Sequence, residues 1–112
     1  MTTLGILGFG DFGRFMVKHL EPHFDIVVAN RSDKSAEAAA LGVPYVSLEE
    51  AAAQEVVVPS IPVQSYPAVL ERVREHVRDG SLWIDVASVK VKPLAMLREF
   101  LPGGVEVIGT HP

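Results

Sequence analysis

Four short stretches of the sequence contain residue types that could hold an anion or move a proton. GFGDFG at 8–13 is glycine-rich, and NRS at 30–32 combines a cation with two polar groups. DVASVK at 85–90 contains Ser88, and the GTHP at the end of the sequence contains His111. Glycine turns bring backbone N–H groups to a phosphate, whereas serine and histidine orient and accept protons. All four stretches follow apolar runs, so we expect them at the ends of strands.

The glycine-rich stretch has the spacing G-x-G-x-x-G, formed by Gly8, Phe9, Gly10, Asp11, Phe12 and Gly13. It follows an apolar run and begins a helical pattern, and in this context the spacing predicts a dinucleotide-binding turn. Gly8 would allow the tight turn, Gly10 the approach of a pyrophosphate, and Gly13 the packing of helix on strand. Free N–H groups at the start of the helix would hold the anion. The alternative is an ordinary strand-to-helix turn.

The residues after the second apolar run favour a phosphate on the adenosine ribose. Asn30 lies where an NAD-selective domain usually has Asp or Glu. Arg31 offers a planar guanidinium suited to phosphate, and Ser32 offers a further hydroxyl. A hydrogen bond to a charged group contributes roughly 1.5–3 kcal/mol, which predicts a roughly 10- to 150-fold preference for NADP over NAD. The alternative is that Arg31 is a solvated arginine at a surface turn.

The elements that must position these residues alternate along the chain. Short runs that are apolar on both faces predict strands at 3–8, 25–30, 44–47, 55–61, 81–88 and 105–110. Helical patterns separate them, and the first is expected to turn one face inward, made of Phe12, Phe15, Met16, His19 and Leu20. This alternation predicts a doubly wound Rossmann α/β domain, a six-stranded parallel sheet in the order 3-2-1-4-5-6. Ligands then bind beyond the carboxyl ends of the strands. Pro59 is expected as the last residue of the fourth strand.

Composition narrows the class of protein further. The chain has 112 residues, 48% of them hydrophobic, and a net charge of −4, which predicts one globular domain without affinity for nucleic acid. No apolar run approaches the ~18 residues that span a bilayer. With no cysteine and four scattered histidines, we expect no metal site. The first residues lack the pattern of an export or transit signal, so we expect a cytoplasmic location.

Together, GFGDFGRF at 8–15, the NRSD after the second strand, DVASVK at 85–90 and IGTHP at 108–112 resemble the prephenate/arogenate dehydrogenase family. The resemblance spans essentially the whole chain, and these motifs are most similar to the NADP-using arogenate branch. It implies oxidation of the hydroxyl-bearing ring carbon of prephenate or arogenate. Hydride passes to the nicotinamide, and carbon dioxide is lost as the ring becomes aromatic.

The resemblance also implies roles for individual residues. His111 would contact the ring hydroxyl and accept its proton, because a neutral imidazole with a pKa near ~6.5 suits that task. Ser88 would make a hydrogen bond in the same cluster of residues around the ring hydroxyl. Ser60, Ile61 and Pro62 would line the nicotinamide side of the site.

In that family a helical domain follows, which forms the dimer and grips the carboxylates of a small-molecule substrate. We therefore expect residues 1–112 to be the NADP-binding half of a longer, homodimeric enzyme, inactive by itself. Two alternatives stay open. One is the nucleotide half of a β-hydroxyacid or imine reductase, against which the DVASVK and GTHP motifs argue. The other is a free-standing NADP-sensing module that regulates a partner.

Overall fold

A computed structural model of the chain describes residues 1–86 and 91–109. Its strands are β1 (Thr3–Leu7), β2 (Asp25–Ala29), β3 (Val56–Pro59), β4 (Leu82–Asp85) and β5 (Glu106–Gly109). Its α-helices are α1 (Asp11–Leu20), α2 (Ser35–Leu41), α3 (Leu48–Ala52), α4 (Tyr66–Val73) and α5 (Val91–Phe100). Short 3₁₀ turns at Val63–Ser65 and Arg74–His76 precede and follow α4.

The strands form one parallel sheet in the order β2-β1-β3-β4-β5. The chain starts in the middle, winds outwards to β2, crosses back beside β1 and then winds outwards to β5. This is the doubly wound arrangement, so the predicted fold class is confirmed. The carboxyl ends of β1 and β3, where the direction of winding changes, lie side by side in the centre of the sheet.

The third predicted strand is the one correction to the sheet. Residues 44–47 form only an isolated parallel bridge between Tyr45 and Val28. The bridge lies beside β2, in the place that the predicted order assigns to a third strand, but among the described residues the sheet has five strands. Two hydrogen bonds hold it, from Val28 N to the Pro44 carbonyl and from Val46 N to the Val28 carbonyl. Pro44 cannot donate and Ser47 already begins a helix, so pairing has no room to extend.

The core lies on both faces of the sheet because successive strand residues point to opposite sides. One face packs α1 and α2 against alternate strand residues, among them Leu4, Ile6, Ile26, Val28 and Val58. The other face packs α3, α4 and α5 against the intervening residues, among them Leu7, Ala29, Val57 and Trp83. Helices on both faces explain why the strands are apolar on both sides.

The inward face predicted for α1 is wrong in part. Met16 and Val17 are buried, whereas Phe15 is 55% exposed and His19 also faces solvent. Phe15 instead stacks along the outside of the helix, with its ring centroid 6.0 Å from that of Phe12 and 4.2 Å from that of His19. The glycine turn sets the rotation of the helix, because Gly13 must face the strand that precedes it.

Several local signals act as their residue types predict. Pro59 is the last residue of β3, and the next residue, Ser60, donates its N–H to the Leu7 carbonyl at 2.7 Å. The proline therefore ends the strand without interrupting a hydrogen bond in its centre. Ser47 caps α3, because its side chain accepts the Glu50 N–H at 3.0 Å.

Within the part of the chain that the structure describes, we find no helix with the length and apolar character needed to cross a membrane.

Candidate functional site

The glycine turn joins β1 to α1 at the carboxyl edge of the sheet. Gly8 has φ +107°, a conformation that favours glycine, and its N–H donates to the Ala29 carbonyl at 2.8 Å. A Cβ on Gly8 would collide with the Ser60 carbonyl oxygen and with Ile61. A Cβ on Gly13 would lie 2.6 Å from the Gly8 carbonyl oxygen, so α1 can approach the strand only at a glycine. The fold itself thus requires both residues.

Gly10 differs from the other two glycines of the motif. It is exposed, and a Cβ built there meets no atom within 4 Å. Gly10 also occupies the N-cap position of α1 without a side chain to cap the helix. The first N–H groups of an α-helix have no partner within the helix, and its dipole favours an anion at that end. Open space and free donors therefore coincide at Gly10, as a pyrophosphate site requires.

The residues between the glycines contribute in different ways. The Phe9 side chain is fully buried on the face that packs α1, so only its backbone borders the turn. Phe12 is half-buried at the edge of the same cluster. The Asp11 side chain is fully exposed and pairs with Arg14 at 2.7 Å. Beside the free N–H groups, the carboxylate of Asp11 is thus partly neutralised by a neighbour on its own helix.

Asn30 connects the glycine turn with the loop that follows β2. Its Oδ1 accepts the Phe9 N–H at 2.8 Å, and its Nδ2 donates to both the carbonyl and the Oγ of Ser32 at 3.0 Å. Both halves of the amide are therefore occupied within the protein. An aspartate here could replace the acceptor but not the donor. The Ser32 hydroxyl accepts from Asn30, which leaves its proton for another acceptor.

Tyr45 holds the same loop from the far side, a role that the sequence analysis missed. Its hydroxyl accepts the Lys34 N–H at 3.2 Å and lies 3.1 Å from the Ser32 carbonyl and 3.4 Å from the Asn30 carbonyl. The only hint in the sequence is a tyrosine within a short run that is otherwise mostly apolar. This hint is weak, because tyrosine is common in strands for its ring alone. The loop at 30–34 is thus fixed at both ends before any ligand binds.

Arg31 lies in a cleft between this loop and the segment that follows β3. The cleft has a volume of ≈ 430 Å³ and is lined by Asn30, Arg31, Ser32, Ile61, Pro62 and Ser65. Arg31 Nη1 donates to Ser65 Oγ at 3.2 Å and so spans the opening. Ile61 and Pro62, which are predicted to line the nicotinamide side, also line this cleft beside Arg31. Their contact with the nicotinamide stays a prediction. Ser60, one residue earlier, supplies the backbone that packs against Gly8.

A buried hydrogen bond lies one residue beyond this cleft. The Tyr66 hydroxyl donates to Asp85 Oδ1 at 2.6 Å, and both side chains are buried. Burial, together with the adjacent Asp85 carboxylate, raises the pKa of the Tyr66 hydroxyl well above its ordinary value of 10.0. The pair joins the start of α4 to the end of β4. Asp85 begins the DVASVK motif, but sequence reasoning did not find its partner, which lies 19 residues away.

The two predicted catalytic residues, Ser88 and His111, lie outside the described residues. Residues 1–86 and 91–109 contain no group of three His, Asp or Glu side chains placed to hold a metal ion.

The described residues fit a dinucleotide. A pyrophosphate would meet the open space at Gly10 and the free N–H groups of α1, where no Cβ intrudes. The cleft beside Arg31 falls within the range of about 300–1,000 Å³ that is usual for small-molecule sites. Turn and cleft lie at the same edge of the sheet and share Ile61, which lines the cleft and packs against Gly8. One extended ligand can therefore occupy both.

Comparison with known proteins also indicates a nucleotide-binding domain. The family described as "Prephenate dehydrogenase, nucleotide-binding domain" matches residues 12–112. Arogenate dehydrogenase 1, chloroplastic, from Arabidopsis thaliana is 36% identical over 97% of this chain and 18% of its own length. The probable arogenate/prephenate dehydrogenase of Methanocaldococcus jannaschii is 32% identical over 98% of this chain and 26% of its own length. The chain therefore spans only a minor part of these relatives.

A solved structure matches the fold over the whole chain. Prephenate dehydrogenase from A. aeolicus, crystallised with hydroxyphenyl propionate and NAD+, superimposes with a TM-score of 0.83 at 23% identity. The match covers 100% of this chain and 42% of that one. At this level of identity the likeness establishes the fold.

Proposed function

The chain belongs to the prephenate dehydrogenase family, as its nucleotide-binding domain, and from this we propose that it binds NADP for an enzyme that oxidises and decarboxylates prephenate or arogenate. In this proposal residues 1–112 are one part of a longer protein, and a following helical domain provides the substrate pocket and the homodimer contact. The small share of its relatives' length that the chain spans supports this. A cytoplasmic location is also part of the proposal.

The proposed preference for NADP rests on one observation. After β2, a neutral residue and a cation stand where an NAD-selective domain usually has an acidic residue. The neutral Asn30 lies at the position where a carboxylate would bind the ribose hydroxyls. Its amide already makes hydrogen bonds to Phe9 and Ser32. The next residue, Arg31, lies exposed in the cleft with four of its five N–H groups still free of described partners. A 2′-phosphate therefore gains a cation here and meets no anion on this loop before Asp33.

For the chemical step, we propose His111 as the base and Ser88 as the residue that orients it. The bound nicotinamide supplies the hydride acceptor. His111 would take the proton of the ring hydroxyl as that carbon becomes a ketone, which needs the imidazole in its neutral form. Both residues follow strands that end at the carboxyl edge of the sheet, since β4 ends at Asp85 and β5 at Gly109. β4 and β5 are adjacent strands, and their last residues, Asp85 and Gly109, are partners in the register, so the chain leaves the sheet at neighbouring points before each of the two motifs.

The binding part of this proposal is tested by titrating the 112-residue chain with NADPH and with NADH. We expect tighter binding of NADPH. Arg31→Ala should weaken NADPH by roughly 10- to 150-fold and leave NADH almost unchanged. Equal losses for the two nucleotides would exclude Arg31 as the phosphate ligand.

The catalytic part requires a turnover assay with prephenate and arogenate on the full-length gene product. His111→Ala should abolish turnover while NADPH binding persists. Turnover of either substrate that survives this change would rule out His111 as the base.

A further inference from the structure

Ser65 occupies an N-cap position but does not cap its helix. It directly precedes α4, and its side chain accepts no N–H from the first turn of that helix. Ser47 provides the comparison within the same chain, because its hydroxyl accepts the Glu50 N–H at the start of α3. Part of the reason is local, since Pro67 in the first turn of α4 has no N–H to give. The Ser65 hydroxyl is therefore available to groups outside the helix.

The partner that Ser65 does have is the guanidinium of Arg31. These residues are 34 positions apart, one after β2 and the other after β3, and their contact of 3.2 Å crosses the cleft. A serine hydroxyl that accepts from arginine still has its own proton to donate. An anion entering the cleft beside Arg31 would thus find a second donor on the opposite wall.

The position of Ser65 is set by a contact on each side of it in the sequence. Its N–H donates to the Pro62 carbonyl at 2.8 Å, which closes the 3₁₀ turn. The next residue, Tyr66, is buried and held by Asp85. The hydroxyl is therefore presented by a rigid support, which binding sites require if ordering a loop is not to oppose binding.

We propose that Ser65 is a further ligand of the ribose 2′-phosphate, on the wall of the cleft opposite Arg31, and determines the preference for NADP together with Arg31. This inference rests on the proposed NADP binding and extends it from the loop after β2 to the segment after β3. Arg31 supplies the charge, while Ser32 and Ser65 supply hydroxyl donors from the two walls of the cleft. The expected ligand is a phosphate carried on an adenosine ribose.

The experiment uses two adenosine probes, so that neither nicotinamide nor substrate enters the measurement. Adenosine 2′,5′-bisphosphate carries the phosphate in question, and adenosine 5′-monophosphate lacks it. The unchanged chain, Ser65→Ala, Ser65→Thr and Ser47→Ala are titrated with both probes by calorimetry. Ser65→Ala should weaken the bisphosphate about tenfold, as the loss of one hydrogen bond to a charged group predicts, and leave the monophosphate within about twofold. Ser65→Thr keeps a hydroxyl and should restore most of the affinity.

Ser47→Ala is the matched control, because it removes an N-cap serine that does serve its helix. It should lower the urea midpoint of unfolding and leave both affinities unchanged. In the Arg31→Ala background, Ser65→Ala should cost much less than tenfold, since both residues contact one phosphate.

The outcomes separate this inference from the proposed function. If the unchanged chain does not prefer the bisphosphate, the NADP proposal fails and this inference fails with it. If the chain prefers the bisphosphate but Ser65→Ala binds it equally well, only the role of Ser65 is overturned. Tighter binding by Ser65→Ala would also overturn it, because Ser65 would then be a competitor for Arg31.

Discussion

The Tyr66 hydroxyl and the Asp85 carboxylate form a buried hydrogen bond of 2.6 Å between the start of α4 and the end of β4. A buried carboxylate is stable only while hydrogen bonds replace its lost hydration. Tyr66 supplies one of these bonds, and its neighbour in the sequence, Ser65, lines the cleft beside Arg31. Ser65 in the wall of the proposed binding site is thus followed directly by Tyr66 in the core of the domain.

Tyr66→Phe should destabilise the domain by about 1–3 kcal/mol, because the ring still fills its place while Asp85 loses a donor. Urea unfolding at neutral pH measures this change. Tyr45→Phe is the matched control, since that hydroxyl lies at a partly exposed loop where water can replace it, and its cost should be smaller. Equal costs for the two variants would contradict the assigned role of the buried pair.

The raised pKa of Tyr66 also predicts a dependence of stability on alkaline pH. Because the folded state binds the tyrosine proton more tightly than the unfolded state does, this contribution is complete below the unfolded pKa of 10.0. It is lost as the pH rises above that value, by up to about 1.4 kcal/mol for each pH unit. Urea midpoints of the unchanged chain and of Tyr66→Phe should therefore keep their separation up to about pH 10 and approach each other as the pH rises further. Parallel curves would show that the tyrosine does not titrate on unfolding.

Gly10→Ala and Gly13→Ala should separate binding from folding. At Gly10 an added methyl meets no protein atom, so the free energy of unfolding should change by less than about 0.5 kcal/mol. NADPH binding should nevertheless weaken at least about tenfold, since the methyl occupies the space left for the pyrophosphate. At Gly13 the methyl lies 2.6 Å from the Gly8 carbonyl oxygen, so this variant should lose about 1–3 kcal/mol of stability. Full NADPH affinity in Gly10→Ala would move the phosphate site elsewhere.

Asn30→Asp should shift the nucleotide preference towards NADH. The new carboxylate can still accept the Phe9 N–H, but it repels a 2′-phosphate and can accept from a free ribose hydroxyl. The ratio of the two dissociation constants should change at least about tenfold, with NADPH weakened and NADH strengthened. Parallel titrations with both nucleotides measure the ratio, and thermal unfolding controls for loss of the donor to Ser32. An unchanged ratio would contradict the charge argument.

Met16→Ala and Phe15→Ala test which side of α1 faces the sheet. Met16 is 7% exposed, so its truncation should cost about 2–5 kcal/mol. Phe15 is 55% exposed, and its truncation should cost less than about 1 kcal/mol. Urea unfolding of both variants measures the difference. A larger loss at Phe15 would restore the inward face that the sequence pattern predicts.

Some features of this protein are determined by the sequence alone, because they depend on neighbours along the chain. Alternating apolar runs and helical patterns specify the doubly wound sheet. Gly8, Gly13 and Pro59 are each restricted by the backbone of a turn or a strand end, so their positions could be predicted. The charge exchange at 30–31 is equally local. The family resemblance rests on such motifs, and it was correct for the same reason.

Other features were decided only by the tertiary structure, because they join residues that the crossovers bring together. Arg31 and Ser65 are 34 residues apart, and Tyr66 and Asp85 are 19 apart. No periodicity in the sequence relates such pairs, since their distance depends on which strands become neighbours in the sheet. The rotation of α1 has the same origin, because the contact of Gly13 with the Gly8 carbonyl overrides the apolar stripe. Sequence therefore determined which residues could bind a nucleotide, and strand order decided which of them share one cleft.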